Sequence, residues 1–199
     1  MQPVIDHFFS VLSPWAFLGW PEINRIAGQH GARLRNLPVD LPRVFQANGG
    51  IPGPKKSPAK QRYRDEELRR WGAFRGIDIN PRPSHHPFDA NLATRLIVAA
   101  EQDDEPASQL TYRLMQALWL EDRNLADAQA LAELAREAGF DADALFAAAD
   151  ARETVDRVET NTQEAIDRGV FGVPTYFLGE SMFWGQDRLD FVERGLMGP

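Results

Sequence analysis

The chain contains no cysteine among its 199 residues. Disulfide bonds, thiolate metal sites and cysteine nucleophiles are therefore excluded, so any sulfur chemistry must use sulfur that a ligand brings. The sequence also has no apolar run long enough for a membrane span, and its N-terminus lacks the basic and apolar regions of a signal peptide. We therefore expect a cytoplasmic protein that does not enter a membrane.

Lysine and arginine are also fewer than the acidic residues. The 22 lysines and arginines are outnumbered by 29 acidic residues, which gives a formal net charge of −7. A general nucleic-acid binder needs a basic face to neutralise phosphates, so this balance argues against one. The remaining composition, with 43% hydrophobic and 26% charged residues, is that of an ordinary globular protein. The length allows one domain with an insertion or two small domains.

The N-terminal segment predicts a strand followed directly by a helix. Residues 4–9 have a strand composition, and residues 14–30 repeat apolar side chains at helical spacing. Ser13 is a favourable N-cap residue, and Pro14 suits the first helical position. The Ser13 hydroxyl is thus expected at the positive end of the helix, where a negative charge is favoured. Capping alone would explain Ser13, so a functional role for it depends on the far end of the chain.

A second strand and a loop follow. Residues 33–40 predict a strand parallel to the first, and Pro38 indicates that this strand is short or lies at a sheet edge. Residues 48–58 are rich in glycine and proline and predict a loop. The spacing of a phosphate-binding loop is absent there, so we exclude that function.

The middle of the chain is predicted to be helical. Lys60, at the start of a helix over residues 59–75, is a candidate ligand contact, whereas the other charges of this helix are interpreted as a solvated face. Because adjacent residues rarely bind one ion, we interpret His85 and His86 as surface histidines and predict no metal site. Further helices are predicted over residues 89–145 and 152–168. The residues of the 59–75 helix predicted to face inward are Tyr63, Leu68, Trp71 and Phe74.

The C-terminal segment predicts a hairpin and a last helix. Two β-rich runs flank Gly179 and Glu180, and Asp187 is placed to cap the helix after them. The order βαβ, helical block, ββα is that of an α/β thioredoxin-like fold with a large helical insertion. Pro174 stands where that fold has a cis-proline, which leaves the preceding backbone free to pair with an extended ligand. We divide the chain into a thioredoxin-like N-terminal part (1–44), a helical insertion domain (45–150) and a thioredoxin-like C-terminal part (151–199).

Three motifs of the sequence belong together. They are Ser13-Pro14-Trp15-Ala16, Gly172-Val173-Pro174-Thr175 and Phe183-Trp184-Gly185-Gln186-Asp187-Arg188-Leu189. The first motif stands where thioredoxin-like proteins have Cys-x-x-Cys. With all three motifs, the sequence resembles the 2-hydroxychromene-2-carboxylate isomerases, which belong to the DsbA-like branch that also holds the kappa-class glutathione transferases. The resemblance spans almost the whole chain, with departures at Ser10, where many members have aspartate, and at Asp89, near where many have asparagine.

This resemblance implies a glutathione site. Ser13 would be the catalytic residue and would hydrogen-bond the glutathione sulfur, while the helix N-terminus would favour the thiolate. Val173, beside Pro174, would pair main chain to main chain with the cysteinyl unit. Lys60 and the loop around Asn48 and Gly49 would line the glycine end or the substrate carboxylate. The γ-glutamyl end would be held by Trp184, Gly185, Gln186 and Asp187.

The resemblance also implies the reaction. The thiolate would add reversibly to 2-hydroxychromene-2-carboxylate, an intermediate of aromatic hydrocarbon catabolism, and its expulsion after bond rotation would give trans-o-hydroxybenzylidenepyruvate. A dithiol oxidoreductase is excluded because the chain has no cysteine. Two alternatives stay open, namely a kappa-like glutathione transferase that conjugates electrophiles and a non-catalytic thioredoxin-like binding module. We expect a homodimer that acts on a small aromatic carboxylate or another electrophile.

Overall fold

A computed structural model of the chain describes residues 2–52, 57–101 and 106–198. The predicted order of elements is confirmed, and with it the thioredoxin-like fold with a helical insertion. Part of the predicted loop, residues 53–56, lies outside the described residues. The elements are β1 (Val4–Phe9), α1 (Pro14–Gln29), β2 (Arg33–Pro38), α2 (Leu41–Asn48), α3 (Pro58–Arg75), α4 (Asn91–Ala100), α5 (Pro106–Trp119), α6 (Ala128–Glu137), α7 (Ala142–Ala149), α8 (Arg152–Asp167), β3 (Thr175–Leu178), β4 (Ser181–Trp184), a 3₁₀ turn (Gln186–Arg188) and α9 (Leu189–Met197).

The strands form one four-stranded sheet in the order β2-β1-β3-β4. β1 pairs parallel with β2 and antiparallel with β3, and β3 and β4 form the predicted antiparallel hairpin. Pro38 is the last residue of β2, which is an edge strand, as predicted. An edge position tolerates a proline because one side of the strand needs no ladder hydrogen bond.

Alternate side chains of β1 are buried on opposite faces of the sheet. Ile5 lies in a cluster with Ile23 of α1 and Val192 of α9. Phe8 points to the opposite face and lies in a cluster with Val44 of α2 and Ala165 of α8. This period-two alternation places helices on both faces of the sheet and buries β1 at its centre.

The helical block shares its core with α1. Phe17 of α1 belongs to the same buried cluster as Leu96 of α4 and Leu114 of α5. The predicted boundary between residues 44 and 45 falls inside α2, and the three-part division of the chain stays a prediction. Among the described residues, no helix combines the length and the apolar character that crossing a bilayer requires.

Helix α3 differs from the prediction in the face that it buries. Tyr63 is 61% exposed and Phe74 is 78% exposed, so the prediction that they face inward is wrong. The buried positions are Asp65, Leu68 and Gly72, which follow one helical stripe. Since this stripe contains a carboxylate and a glycine, a search for apolar side chains misses it and selects the aromatic residues of another face.

Candidate active site

The turn between β1 and α1 presents the Ser13 hydroxyl at the start of a helix. Ser13 has extended backbone dihedrals and its Oγ accepts a hydrogen bond of 3.2 Å from the Ala16 N–H, so the predicted N-cap is confirmed. Pro14 occupies the first turn, where its missing N–H leaves no donor unpaired. Ser13 itself is 5% exposed. The hydroxyl therefore lies in a partly dehydrated position, where the partial positive charge of the helix N-terminus is weakly screened.

The same hydroxyl joins this turn to the segment that precedes β3. Ser13 Oγ donates a hydrogen bond of 2.9 Å to the main-chain carbonyl of Val173. The peptide bond between Val173 and Pro174 is cis, as predicted. Two motifs far apart in the sequence thus meet through one side chain, which accepts from its own helix and donates to the other motif.

The helical insertion holds the turn from the other side. The indole Nε1 of Trp119 donates to the Val11 carbonyl at 2.9 Å, and His86 Nε2 donates to the Leu12 carbonyl at 3.1 Å. The two aromatic rings also contact each other, with centroids 4.9 Å apart. Because buried carbonyls need partners, these two bonds fix the backbone immediately before Ser13.

The position of His86 was not predicted from the sequence. The residue is half-buried beside the turn between β1 and α1, so its interpretation as a surface histidine is wrong, whereas His85 is exposed. Burial, with a further contribution from the nearby charge of Arg64, lowers the pKa of His86. A neutral ring that donates from Nε2 to the Leu12 carbonyl retains Nδ1 as an acceptor. Its partner Leu12 is 74 positions away, and no local pattern in the sequence indicates the contact.

Trp184 forms an aromatic wall beside the Val173 segment. Its ring contacts that of Phe171 with centroids 4.9 Å apart, and a Cβ atom on Gly172 would lie 2.8 Å from the indole Nε1. Glycine is therefore required at residue 172 for the indole to approach the backbone. The Gly185 N–H donates to the Pro174 carbonyl at 2.9 Å, which fastens the end of β4 to the same segment. Trp184 remains 53% exposed and is accessible to a ligand.

Asp187 does not cap the last helix, and that prediction is wrong. The 3₁₀ turn intervenes, so α9 begins at Leu189 and its N-cap position is Arg188, which makes no side-chain cap. The Asp187 carboxylate instead folds back towards Gly185, where it lies against the position that a Cβ atom would occupy. Gly185 also has a φ of 97°, a conformation that other residues rarely adopt. Glycine is thus required at residue 185 for two reasons.

Gln186 differs from its neighbours because its side chain is buried. The residue is 2% exposed, and its Oε1 accepts a hydrogen bond of 2.9 Å from Arg75 Nε of helix α3. The side chain consequently faces the helical insertion, whereas Asp187 is exposed. The Gln186 side chain is therefore engaged by Arg75 and does not face solvent.

The remaining candidates, Lys60 and Asn48, make no hydrogen bond to Ser13 in the part of the chain that the structure describes. Lys60 is exposed in the first turn of α3, and among the described residues no hydrogen bond or ion pair joins its side chain to another candidate. Asn48 ends α2, and its Nδ2 donates to the carbonyls of Ile166 and Val170 at 3.0 and 2.9 Å. Asn48 therefore ties α2 to the end of α8 and to the start of the segment that leads to Val173.

Comparison with known proteins assigns the class. A family model described as a DSBA-like thioredoxin domain matches residues 4–197, and the chain therefore belongs to the DsbA-like thioredoxin family. A solved structure described as 2-hydroxychromene-2-carboxylate isomerase superposes with a TM-score of 0.85 at 27% identity, covering 98% of this chain and 94% of that chain.

Relatives within the family carry two enzyme names. A protein of Pseudomonas putida named 2-hydroxychromene-2-carboxylate isomerase is 30% identical over 97% of this chain and 94% of its own length. Glutathione S-transferase kappa 1 of Caenorhabditis elegans is 23% identical over 99% of this chain and 92% of its own length. The isomerase name at this identity over the full length supports an isomerase function in this family.

Proposed function

We propose that this chain is a glutathione-dependent isomerase that interconverts 2-hydroxychromene-2-carboxylate and trans-o-hydroxybenzylidenepyruvate, or a related aromatic-degradation intermediate. The observation that carries the proposal is the position of Ser13. In a chain without cysteine, its hydroxyl lies at the N-terminus of α1 and contacts the Val173 carbonyl. Similarity to a protein named for this isomerase supports the substrate, and similarity to a kappa-class glutathione transferase supports the cofactor.

The donors and acceptors around Ser13 fit a cysteine-containing tripeptide. When bound, glutathione supplies a nucleophilic thiolate that adds reversibly to an unsaturated carbon and leaves again. Ser13 then exchanges acceptors: its O–H turns from the Val173 carbonyl to the sulfur, and the α1 N-terminus favours the negative charge. The released Val173 carbonyl accepts a main-chain N–H from the ligand. The Ser13 hydroxyl and the Val173 carbonyl would both keep a hydrogen-bond partner, so binding would not leave a buried polar group unpaired.

The turn at the end of β4 suits the γ-glutamyl end. Trp184 offers an exposed aromatic wall, and the Asp187 carboxylate lies against Gly185 in the same turn. The N–H groups of the 3₁₀ turn suit the ligand carboxylate, and the exposed Asp187 carboxylate suits its ammonium group. Lys60 is exposed in the first turn of α3, and the family resemblance supports it as a partner for the carboxylate of the glycine unit or of the substrate.

His86 belongs to the substrate side of this proposal. It holds the Leu12 carbonyl next to Ser13, and the charge of Arg64 lies close enough to affect its pKa. The Arg64 guanidinium group itself donates to the Asp65 carboxylate and to the Pro81 carbonyl. His86 therefore acts on the position of the turn that precedes Ser13.

Product analysis with a glutathione balance tests the proposal. The protein is incubated with glutathione and 2-hydroxychromene-2-carboxylate, and free thiol and isomer are measured together. The proposal predicts isomer formation with no net loss of thiol and no turnover without glutathione. Isomer formation without any need for glutathione contradicts it.

A kappa-like glutathione transferase is the second candidate, favoured by the similarity to the kappa-class protein. It shares the binding step but releases a conjugate, so thiol would disappear in proportion to product. The non-catalytic binding module predicts neither outcome. Calorimetric titration identifies it, because that module gives no heat at millimolar glutathione.

A further inference from the structure

Arg75, the last residue of α3, joins the helical insertion to the turn at residues 184–187. Its Nε donates to Gln186 Oε1 at 2.9 Å, and its Nη2 donates to the Gln186 main-chain carbonyl at 3.4 Å. The two partners are 111 positions apart in the sequence. Two nitrogens of one guanidinium group thus donate to the side chain and to the backbone of the same residue. A lysine ammonium, with its donors on one nitrogen atom, lacks this geometry.

Arg75 is itself held in place. Its side chain is 12% exposed, its Nη1 lies 3.6 Å from the Glu22 carboxylate of α1, and its guanidinium carbon lies 5.6 Å from the centroid of the Trp71 ring. These contacts restrict the guanidinium group on two further sides. The group is therefore preorganised for Gln186 and does not reach it from a flexible surface position.

Gln186 is fixed from its other side by α1. A Cβ atom on Gly19 would lie 2.8 Å from the Gln186 Cβ, so the helix backbone approaches the glutamine directly. Arginine can only donate, which assigns the oxygen of the carboxamide to Arg75. The carboxamide Nε2 is then buried with no hydrogen-bond partner among the described residues. Burying an unpaired amide is unfavourable, so the Nε2 group adds no stability and the Oε1 bond to Arg75 is the contact that holds this side chain.

We infer that Arg75 is a positioning residue for the glutathione site, which acts through the buried Gln186 side chain on the turn of residues 184–187 without touching the ligand. The inference rests on the proposed function. It gives the Gln186 side chain the role of an anchor for the turn and not that of a ligand contact. The γ-glutamyl site then depends on a residue of the helical insertion, outside the three sequence motifs.

The test compares Arg75→Met with Arg75→Lys and with Arg70→Met as a matched control. Arg70 lies on the same helix, pairs only with Glu66 and Glu67 among the described residues, and has a side chain that is 59% exposed. Glutathione affinity is measured by calorimetry, and amide hydrogen exchange is measured over residues 184–188. Steady-state kinetics separate the KM for glutathione from kcat and from the KM for the electrophile.

Arg75→Met is expected to accelerate exchange in the turn and to weaken glutathione binding about tenfold, equivalent to about 1.4 kcal/mol. We expect the KM for glutathione to rise while kcat and the KM for the electrophile stay within about twofold. Arg75→Lys should restore part of the affinity, and Arg70→Met should match the wild type. The double variant Arg75→Met with Gln186→Leu should bind no more weakly than Arg75→Met alone, because both act through one contact.

Unchanged exchange in Arg75→Met overturns the inference, and so does faster exchange with wild-type glutathione affinity. A loss in kcat alone also overturns it, because a positioning role at the γ-glutamyl end acts on binding. A wild-type protein that binds no glutathione refutes the proposed function, and that result comes from a titration in which no Arg75 variant takes part.

Discussion

The Ser13 hydroxyl donates a hydrogen bond to the Val173 carbonyl across 160 positions of sequence. This bond joins the start of α1 to the segment before β3, and Ser13 Oγ at the same time caps α1 through the Ala16 N–H. One side chain thus has two structural roles in addition to its proposed catalytic one. The proposed catalytic role can be separated from the two structural roles, because stability reports the structural roles and kcat/KM reports the catalytic one.

Ser13→Ala should lower both stability and activity. The lost N-cap costs about 1 kcal/mol, and the Val173 carbonyl, left without its donor in a buried position, adds about 1 kcal/mol. Activity with glutathione should fall about 100-fold, the size expected when a developing charge loses one hydrogen-bond donor. Urea unfolding gives the first quantity and kcat/KM the second.

Asp127→Ala is the matched control for this variant. Asp127 caps α6, and its Oδ1 accepts from the Gln129 N–H at 2.9 Å. Its removal should also cost about 1 kcal/mol of stability but should leave kcat/KM unchanged. If both variants lose activity to the same degree, the loss reflects stability, and Ser13 has no special role in catalysis.

Gly172→Ala tests the aromatic wall. The new methyl group would lie 2.8 Å from the Trp184 indole nitrogen and must displace a ring that is half exposed. We expect glutathione affinity to fall about tenfold, equivalent to about 1.4 kcal/mol, with a loss of stability of about 1 kcal/mol, the low end for an added group because the ring is half exposed. Calorimetry measures the affinity and the indole fluorescence reports the ring movement.

A second glycine provides the comparison. Gly28 lies inside α1 with nothing within 4 Å of its Cβ position, so Gly28→Ala should raise stability by about 0.5 to 1 kcal/mol and leave binding unchanged. Equal glutathione affinities of the two alanine variants would remove Trp184 from the proposed site.

Features that depend on neighbouring residues were predictable from the sequence. The Ser13 cap, the hairpin around Gly179 and the edge position of Pro38 are all confirmed. Each depends on a short-range preference for a cap, a turn or a missing N–H, and such a preference acts within a few residues. The motif that contains Val173 was recognisable from the place of Pro174 in the fold and from the resemblance to a known family.

Contacts between distant residues were not predictable. The bond from His86 to Leu12 and the bond from Arg75 to Gln186 join the helical insertion to the thioredoxin-like elements. Neither has a local signal, because histidine and arginine on the surface of a predicted helical block have many possible partners. The predicted N-cap role of Asp187 was wrong for a different reason. A single 3₁₀ turn precedes α9, so Asp187 lies inside that turn and not at the start of the helix.

His86→Phe tests whether the helical insertion fixes the active-site turn. Phenylalanine keeps the aromatic contact with Trp119 but cannot donate to the Leu12 carbonyl, so we expect a loss of about 1 kcal/mol of stability and a fall in kcat/KM of about tenfold. His85→Phe, at the exposed neighbour, should change neither. Wild-type kcat/KM in His86→Phe would contradict the role assigned to this histidine.

The fully buried His7 makes stability depend on pH. It lies between the rings of Phe9 and Tyr176, its Nδ1 donates to Asn36 Oδ1 at 2.9 Å, and burial lowers its pKa to about 4. The folded protein therefore holds His7 neutral, whereas the unfolded chain protonates it below the ordinary histidine pKa of 6.5. The unfolded state binds the additional proton, so the contribution of His7 to stability is complete above pH 6.5 and is lost as the pH falls towards 4.

His7→Phe removes this titration while it keeps an aromatic ring at the same place. Relative to this variant, the wild type should lose about 2 kcal/mol of unfolding free energy between pH 8 and pH 5, out of a total of about 3 kcal/mol. Carboxylates that titrate over the same range are common to both proteins and cancel in the difference. Urea unfolding at intervals of half a pH unit measures it, and a difference that stays constant from pH 8 to pH 5 would mean that His7 titrates alike in the folded and unfolded states.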